Sequence, residues 1–224
     1  MRPLQRRLVP GRAGPAVSDL RGWVADHLDP LEPGGGAGAS RSDFDLEPAY
    51  APAPDTPMTA AAVLIALVEH PAGPSVILTR RADTLRSHTG QVALPGGRCD
   101  PGETPWRTAL REAQEEIGLD PSLVTLAGLS TPYRTGTGYH VIPVVGFVAP
   151  GFTLTPNPAE VADVFETPFG FLMDPANHEE HEREIPAGVT RRFYGMTWED
   201  RFIWGATAGI LRALYDRLYG AAVA

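Results

Sequence analysis

Lysine is missing from this chain: all 19 basic residues are arginine. Without it there is no Walker lysine for a P-loop ATPase or kinase, and no amine for a Schiff base. A phosphate group held by this protein must therefore meet arginine, backbone N–H groups or a metal ion. Cysteine is almost as scarce. Cys99 is the single thiol, which excludes a disulfide framework and a cysteine-built zinc site. No positioned base can be named for it, so it reads as a small half-buried filler rather than a nucleophile.

Long apolar runs are absent as well. No stretch of 18 apolar residues occurs, so nothing reads as a membrane-spanning helix. The N-terminus has Arg2, Arg6 and Arg7 but no apolar signal core, and the final Ala-Ala-Val-Ala is not a peroxisomal address. These features predict a cytoplasmic protein with no membrane partner. Positive charge is also short. Against 27 acidic residues the 19 arginines leave a net charge of −8, a poor balance for binding a phosphate backbone, so nucleic acid is not expected as a partner.

With 224 residues the chain fits one domain plus appendages. Residues 1–57 read as an N-terminal arm: a short helix with Ser18 as cap and Leu20, Trp23, Val24 and Leu28 on one stripe, then a Pro/Gly-rich linker over 30–57. Residues 58–224 read as the domain. Apolar runs at 59–69 and 75–80 predict strands on either side of a turn at Pro71 to Pro74. Further strands are expected at 123–129, 139–149 and 189–198, with Pro143 suggesting an edge or a bulge. Residues 159–173 mix a turn with helical spacing. Residues 204–219 predict an amphipathic helix with Ile210, Leu211, Leu214 and Leu218 facing inward. Strands interleaved with a few helices give an α/β sandwich around a mixed sheet. The arm and the last helix are candidates for a homodimer contact.

The densest information lies in residues 97–119, GRCDPGETPWRTALREAQEEIGL. Thr104 is a plausible N-cap, Pro105 suits the first helical position, and Gly118 followed by Pro121 ends the helix. Trp106, Leu110, Ala113 and Ile117 form the expected buried stripe. At about 100° per residue, Glu112, Glu115 and Glu116 then share the opposite side. Like charges at these spacings cost roughly 0.2–0.5 kcal/mol per pair, so something must compensate. A solvated acidic face paired to Arg107 and Arg111 is the bland account. A hard divalent cation, Mg²⁺ or Mn²⁺, is the functional one, because only oxygen ligands are on offer.

The spacing of Gly97, Glu103, Arg111, Glu112, Glu115, Glu116, Gly118 and Leu119 resembles the signature of the Nudix hydrolases at every defining position. That resemblance implies a Nudix-type α/β/α sandwich around a mixed β-sheet. It also implies metal-dependent attack of water on a diphosphate, with Glu112, Glu115 and Glu116 as the catalytic and metal-ligating residues. Within it Glu103 and Arg111 are structural, the arginine tying the loop to the helix. Gly96 and Gly97 allow close backbone approach to a ligand. A carboxylate beyond the helix often completes such sites; Glu160 is a candidate, although a solvated loop glutamate is its plainer reading.

A second stretch, residues 77–97 (ILTRRADTLRSHTGQVALPGG), resembles the segment that marks the coenzyme A pyrophosphatase branch of the family. Leu78, Thr79, Arg81, Ala82, Arg86, Gly90, Pro95, Gly96 and Gly97 match, while Ile77 and Leu94 depart but stay apolar. The branch implies coenzyme A or its acyl forms as substrate, with 3′,5′-ADP and 4′-phosphopantetheine as products. Arg80, Arg81 and Arg86 are the candidate substrate cations, suited to phosphate dianions by bidentate bonding; local pairing is the competing account of each. His88 reads as a structural hydrogen-bonding group. The rivals are a broader pyrophosphatase for ADP-ribose, NADH or dinucleoside polyphosphates, and a non-catalytic Nudix-fold binding module. His178 and His181 are three apart in a stretch expected to be a solvated acidic loop, not the four apart that a zinc helix needs. Gly136-Thr137-Gly138 lacks the rest of a dinucleotide fingerprint.

Overall fold

The apolar run at residues 59–70 becomes a strand covered on both faces, and the other elements are laid around it. The computed structural model describes residues 19–32, 40–82, 90–185 and 189–220. In chain order these hold α1 (Leu20–Asp26), β1 (Arg41–Ser42), β2 (Thr59–His70), β3 (Gly73–Arg81), β4 (Val92–Ala93), β5 (Gly96–Arg98) and α2 (Pro105–Ile117). There follow β6 (Val124–Leu129), β7 (Tyr133–Arg134), β8 (Tyr139–Val148), β9 (Val161–Pro168), α3 (Phe169–Leu172), β10 (Glu179–Ile185), β11 (Val189–Trp198), β12 (Arg201–Trp204) and α4 (Ala206–Tyr219).

β8 runs parallel to β2 in unbroken register from Thr59–Tyr139 to Val68–Val148. On the other side of β2, antiparallel β3 pairs with its C-terminal half and antiparallel β5 with its N-terminal half. β2 is thus shared along one edge by two different neighbours. Alternation along β2 feeds two cores. Ala61, Ile65 and Leu67 pack with Leu20 and Val24 of α1 and with Ile210, Leu211, Leu214 and Leu218 of α4. Ala62, Leu64, Ala66 and Val68 pack with Ala109, Ala113 and Ile117 of α2. The result is a mixed sheet between helical layers. A separate antiparallel sheet, β10-β11-β12, adds Met196 and Ile203 to the α4 side.

Several expectations are corrected here. Residues 161–168 form β9, paired antiparallel to β3, rather than a turn with helical spacing; only Phe169–Leu172 is helical. Residues 179–185 are not a solvated loop but β10, whose His181 is buried and stacks on Phe193. Pro143 lies in β8, which is flanked on both sides, and its carbonyl accepts the Ser130 N–H at 2.8 Å where β6 has ended and β7 has not begun. Leu110 is only half-buried, and Ala109 takes its place in the α2 stripe. The stretch expected to be linker is partly structured: β1 pairs with β7, and Pro48–Tyr50 form a 3-10 turn. Ser18, the expected α1 cap, lies outside the described residues.

His178 sits buried under α4, edge-on to Tyr215 and with Nε2 2.7 Å from the Leu172 carbonyl oxygen, to which it donates. Burial pushes its pKa down to about 4. In the unfolded chain an imidazole titrates near 6.5, so between those values the unfolded state holds a proton that the folded state refuses. Stability should therefore decline as pH falls from about 6.5 towards 4. His178→Gln keeps a donor for Leu172 and removes the titration. Thermal unfolding followed from pH 7 to 4.5 should show a flatter melting curve against pH for the variant; parallel curves would sink this account.

Candidate active site

β5 lays the glycine loop along β2, where Gly96 meets strand backbone and Gly97 meets a carboxylate. A Cβ at Gly96 would stand 2.3 Å from the Ala62 carbonyl oxygen, and one at Gly97 would stand 2.5 Å from the Glu112 carboxyl. The loop backbone is thus pressed against strand on one side and carboxylate on the other. From there the chain enters α2 through Thr104 and Pro105 and leaves it at Gly118, whose φ of 69° is left-handed. Thr104 occupies the cap position but makes no side-chain capping bond.

Arg111 gathers the acidic groups of this face. Its Nε and Nη2 donate to the two Glu103 oxygens at 3.0 Å each, and its Nη1 donates to Glu112 at 2.9 Å and to Glu115 at 3.0 Å. Nη2 also reaches the Arg98 carbonyl at 3.2 Å. Glu103 accepts two more bonds, from the Thr108 hydroxyl at 2.8 Å and the Asp100 N–H at 3.2 Å. The bonds from Arg111, chiefly, hold the Glu103 carboxyl down at about 2. Loop and helix are therefore joined through one fully ionised pair.

Glu116 has the opposite environment. Its side chain is 5 % exposed, its Oε2 accepts the Gly96 N–H at 3.1 Å, and the Arg81 guanidinium is 3.8 Å from Oε1. Burial pushes its pKa up to about 7; the Gly96 bond and Arg81 oppose this, while Glu112 and Glu160 add to it. Burial likewise raises Glu112, against the pull of Arg111. Glu115 is the exposed member, 54 % accessible. Glu160 is brought to the cluster by two backbone bonds: its carbonyl accepts the Ala82 N–H at 2.9 Å, and the Glu116 carbonyl accepts the Asn157 N–H at 2.8 Å. The turn that carries it is thereby pinned to the ends of both β3 and α2.

Among the described residues no three acidic, histidine or cysteine side chains converge on one point, because Arg111 holds Glu112 and Glu115 while the loop backbone holds Glu116. The donor chemistry nevertheless fits a hard divalent cation. A buried carboxyl kept from full ionisation by burial and by neighbouring carboxyls lacks positive charge. Oxygen donors from two adjacent segments stand ready to surround such a charge.

The arginines separate. Arg81 ends β3 beside Glu116, and a register shift between Arg80 and Arg81 interrupts the pairing with β9 at this point. Arg80 stands across from Val92 and Asp163. Arg86 and His88 lie outside the described residues. Cys99 is a free, half-buried thiol packed against the α2 core. Thr108, unremarked in the sequence, is wholly buried and orients Glu103. A β-branched hydroxyl on the inward face of a helix was the signal.

A family model described as the NUDIX domain matches residues 58–188. An uncharacterized Nudix hydrolase, NudL, from Yersinia pestis (strain Pestoides F) is 42 % identical over 160 residues, covering 70 % of this chain and 79 % of that protein. Among solved structures, the Nudix hydrolase RenU from M. smegmatis is 26 % identical, covering 50 % of this chain and 72 % of that one, with a TM-score of 0.44. A NUDIX hydrolase from Nitrosomonas europaea is 18 % identical over 73 % of this chain and 71 % of its own, with a TM-score of 0.46.

The Glu103–Arg111 pair carries its own test. Because the folded carboxyl is held near 2, its contribution to stability is complete above the unfolded value of about 4.3 and disappears as pH falls towards 2. Glu103→Gln should lower the melting temperature at pH 7, and the gap from wild type should close steadily between pH 4.5 and 2. A gap independent of pH would assign the loss to packing instead.

Proposed function

The chain belongs to the Nudix hydrolase family, and we propose that it hydrolyses the diphosphate of coenzyme A and its thioesters. The products are 3′,5′-ADP and 4′-phosphopantetheine or its acylated form. The broader class, a pyrophosphatase acting on nucleoside diphosphate derivatives with a divalent metal, comes with the family. The finer reading rests on one observation above all. Arg81, a matching position of the segment at 77–97, stands at the carboxylate cluster, and its ion-pair contact among the described residues is a loose 3.8 Å one to Glu116. It is a guanidinium at the edge of the diphosphate site in a chain that has no lysine to offer. Coenzyme A presents a 3′-phosphate besides its diphosphate, and arginine forks match both by bidentate bonding.

In this reading Glu112 and Glu116, one helical turn apart, hold Mg²⁺ or Mn²⁺, with Glu160 alongside. The chemistry such an ion supplies is neutralisation of the diphosphate oxygens and a water of lowered pKa. Gly96 and Gly97 let the backbone come close enough to bear on the phosphates. Glu115, the exposed carboxylate, is either a further ligand or the base that orients the water and takes its proton. A new bond forms from the water oxygen to one phosphorus, the bridging P–O bond breaks, and its electron pair leaves with the departing phosphate. Arg111 is committed to the carboxylates around it, above all to Glu103. Arg81, beside Glu116, is then a cation placed to steady the charge on the substrate.

Two measurements test this. Glu116→Gln keeps an acceptor for the Gly96 N–H while removing the charge, and should lower turnover about 10²–10⁴-fold. Its melting temperature in the absence of metal should be unchanged or higher, because a buried carboxyl has been neutralised. Near wild-type turnover at saturating Mg²⁺ would refute the assignment. Chromatography of the products formed from coenzyme A with Mg²⁺ or Mn²⁺ should show 3′,5′-ADP and 4′-phosphopantetheine. Dephospho-coenzyme A and ADP-ribose, which lack the 3′-phosphate, should be cleaved more slowly; faster cleavage of ADP-ribose would favour the broader pyrophosphatase.

A further inference from the structure

We propose that the protein carries a second ligand site, for a phosphorylated aromatic molecule of the mononucleotide class, between its N-terminal arm and the small sheet. A cavity of about 260 Å³ lies there, bounded by Ser42, Asp43, Tyr133, Arg183, Phe193 and Trp204 among others. Nothing in the reaction assigned to Glu116 uses these residues, and the inference stands without it.

Charge is the first argument. Arg183 of β10 and Arg191 of β11 are directly opposed across the strand pair, and both line the cavity. Like charges so placed repel. Arg191 relieves its share through Glu47 at 3.3 Å and by lying over the Phe44 and Tyr50 rings at 4.8 and 5.2 Å. The neighbouring Arg192 is taken up by Glu180. Arg183, exposed on its strand, has no carboxylate partner among the described residues. An uncompensated guanidinium beside a second one on the same wall of the cavity suits a phosphate dianion, which accepts bonds from both forks.

Shape is the second. Phe193 and Trp204, with ring centroids 5.5 Å apart, give the cavity an aromatic wall. Asp43, which also lines the cavity, accepts the Tyr133 hydroxyl at 2.9 Å and the Gly136 N–H at 2.7 Å. Each of its oxygens keeps a further lone pair for an amino group. A planar base can stack on the aromatic wall and donate an amino group to the carboxyl, with its phosphate at the arginines.

Position makes the site separate. Tyr133, Val141, Ala61 and Arg98 are successive partners across four strands. At about 4.8 Å per strand, Tyr133 is roughly 14 Å from Arg98. Tyr133 also belongs to the core beneath α4, whereas α2 covers the opposite face of the sheet. A mononucleotide held by Arg183 does not reach Glu116.

Calorimetric titration of the full chain in EDTA with adenosine monophosphate tests the proposal. Saturable binding is expected, unchanged in Glu116→Gln and about tenfold weaker in Arg183→Gln. The melting temperature and diphosphate turnover of Arg183→Gln should match wild type. Adenosine alone and inorganic phosphate alone should each bind more weakly than the nucleotide. The proposal fails if no saturable binding occurs, if Arg183→Gln binds as well as wild type, or if inorganic phosphate binds as tightly. Loss of binding in Glu116→Gln also overturns it, by moving the nucleotide to the diphosphate site.

Discussion

Arg111 donates to Glu103, Glu112 and Glu115 at 2.9–3.0 Å, and the arrangement of the site depends on that fork. The Arg111 side chain is 28 % exposed, and a partly solvated ion pair contributes about 1 kcal/mol or less. Its importance is therefore orientation more than stability. By fixing Glu103 it fixes the loop against α2, and by holding Glu112 and Glu115 it offsets the repulsion of carboxylates on neighbouring turns. Glu116 is left without such help. It is buried, bonded among the described residues to a backbone N–H and loosely faced by Arg81, and its proton affinity rises accordingly. The site thus combines a carboxyl held at about 2 by its partner, Glu103 in the loop that precedes α2, with one raised to about 7 on the helix itself. Burial and pairing, not residue type, make the difference.

Local chemistry made much of this readable in the sequence. The strand expected over 59–69 runs from Thr59 to His70, and that over 139–149 ends at Val148. Long apolar runs have few other destinies. Pro105 and Gly118 bracket α2 because one lacks an N–H that the first turn does not need and the other adopts a left-handed φ. What failed to show was whatever depends on distant partners. β9 is half-exposed and begins after two prolines, so its period was obscured; β3 selects it as a strand. β10 consists largely of charged residues, and only pairing with β11 buries His181.

The same reason explains the carboxylate cluster. Glu112, Glu115 and Glu116 are joined by helical spacing, which any reader of the sequence can count. Glu160 joins them through backbone bonds between Asn157 and Glu116 and between Ala82 and Glu160. Those links span tens of residues and leave no local trace. The resemblance implied that Arg111 ties to Glu103, but nothing in the sequence pointed to the buried Thr108 hydroxyl beneath them.

The family match spans residues 58–188, yet the folded body does not stop there. α4, at Ala206–Tyr219, supplies much of one core, and β1, at Arg41–Ser42, closes the free side of β7. Arg217 fastens the two flanks together through Asp29. An excised fragment cut at the borders of the match would bare a sheet face and an unpaired strand edge at once. Recombinant production of this hydrolase therefore has to respect its physical outline, because the stretch matched by the family model ends well inside the unit that shields its own interior.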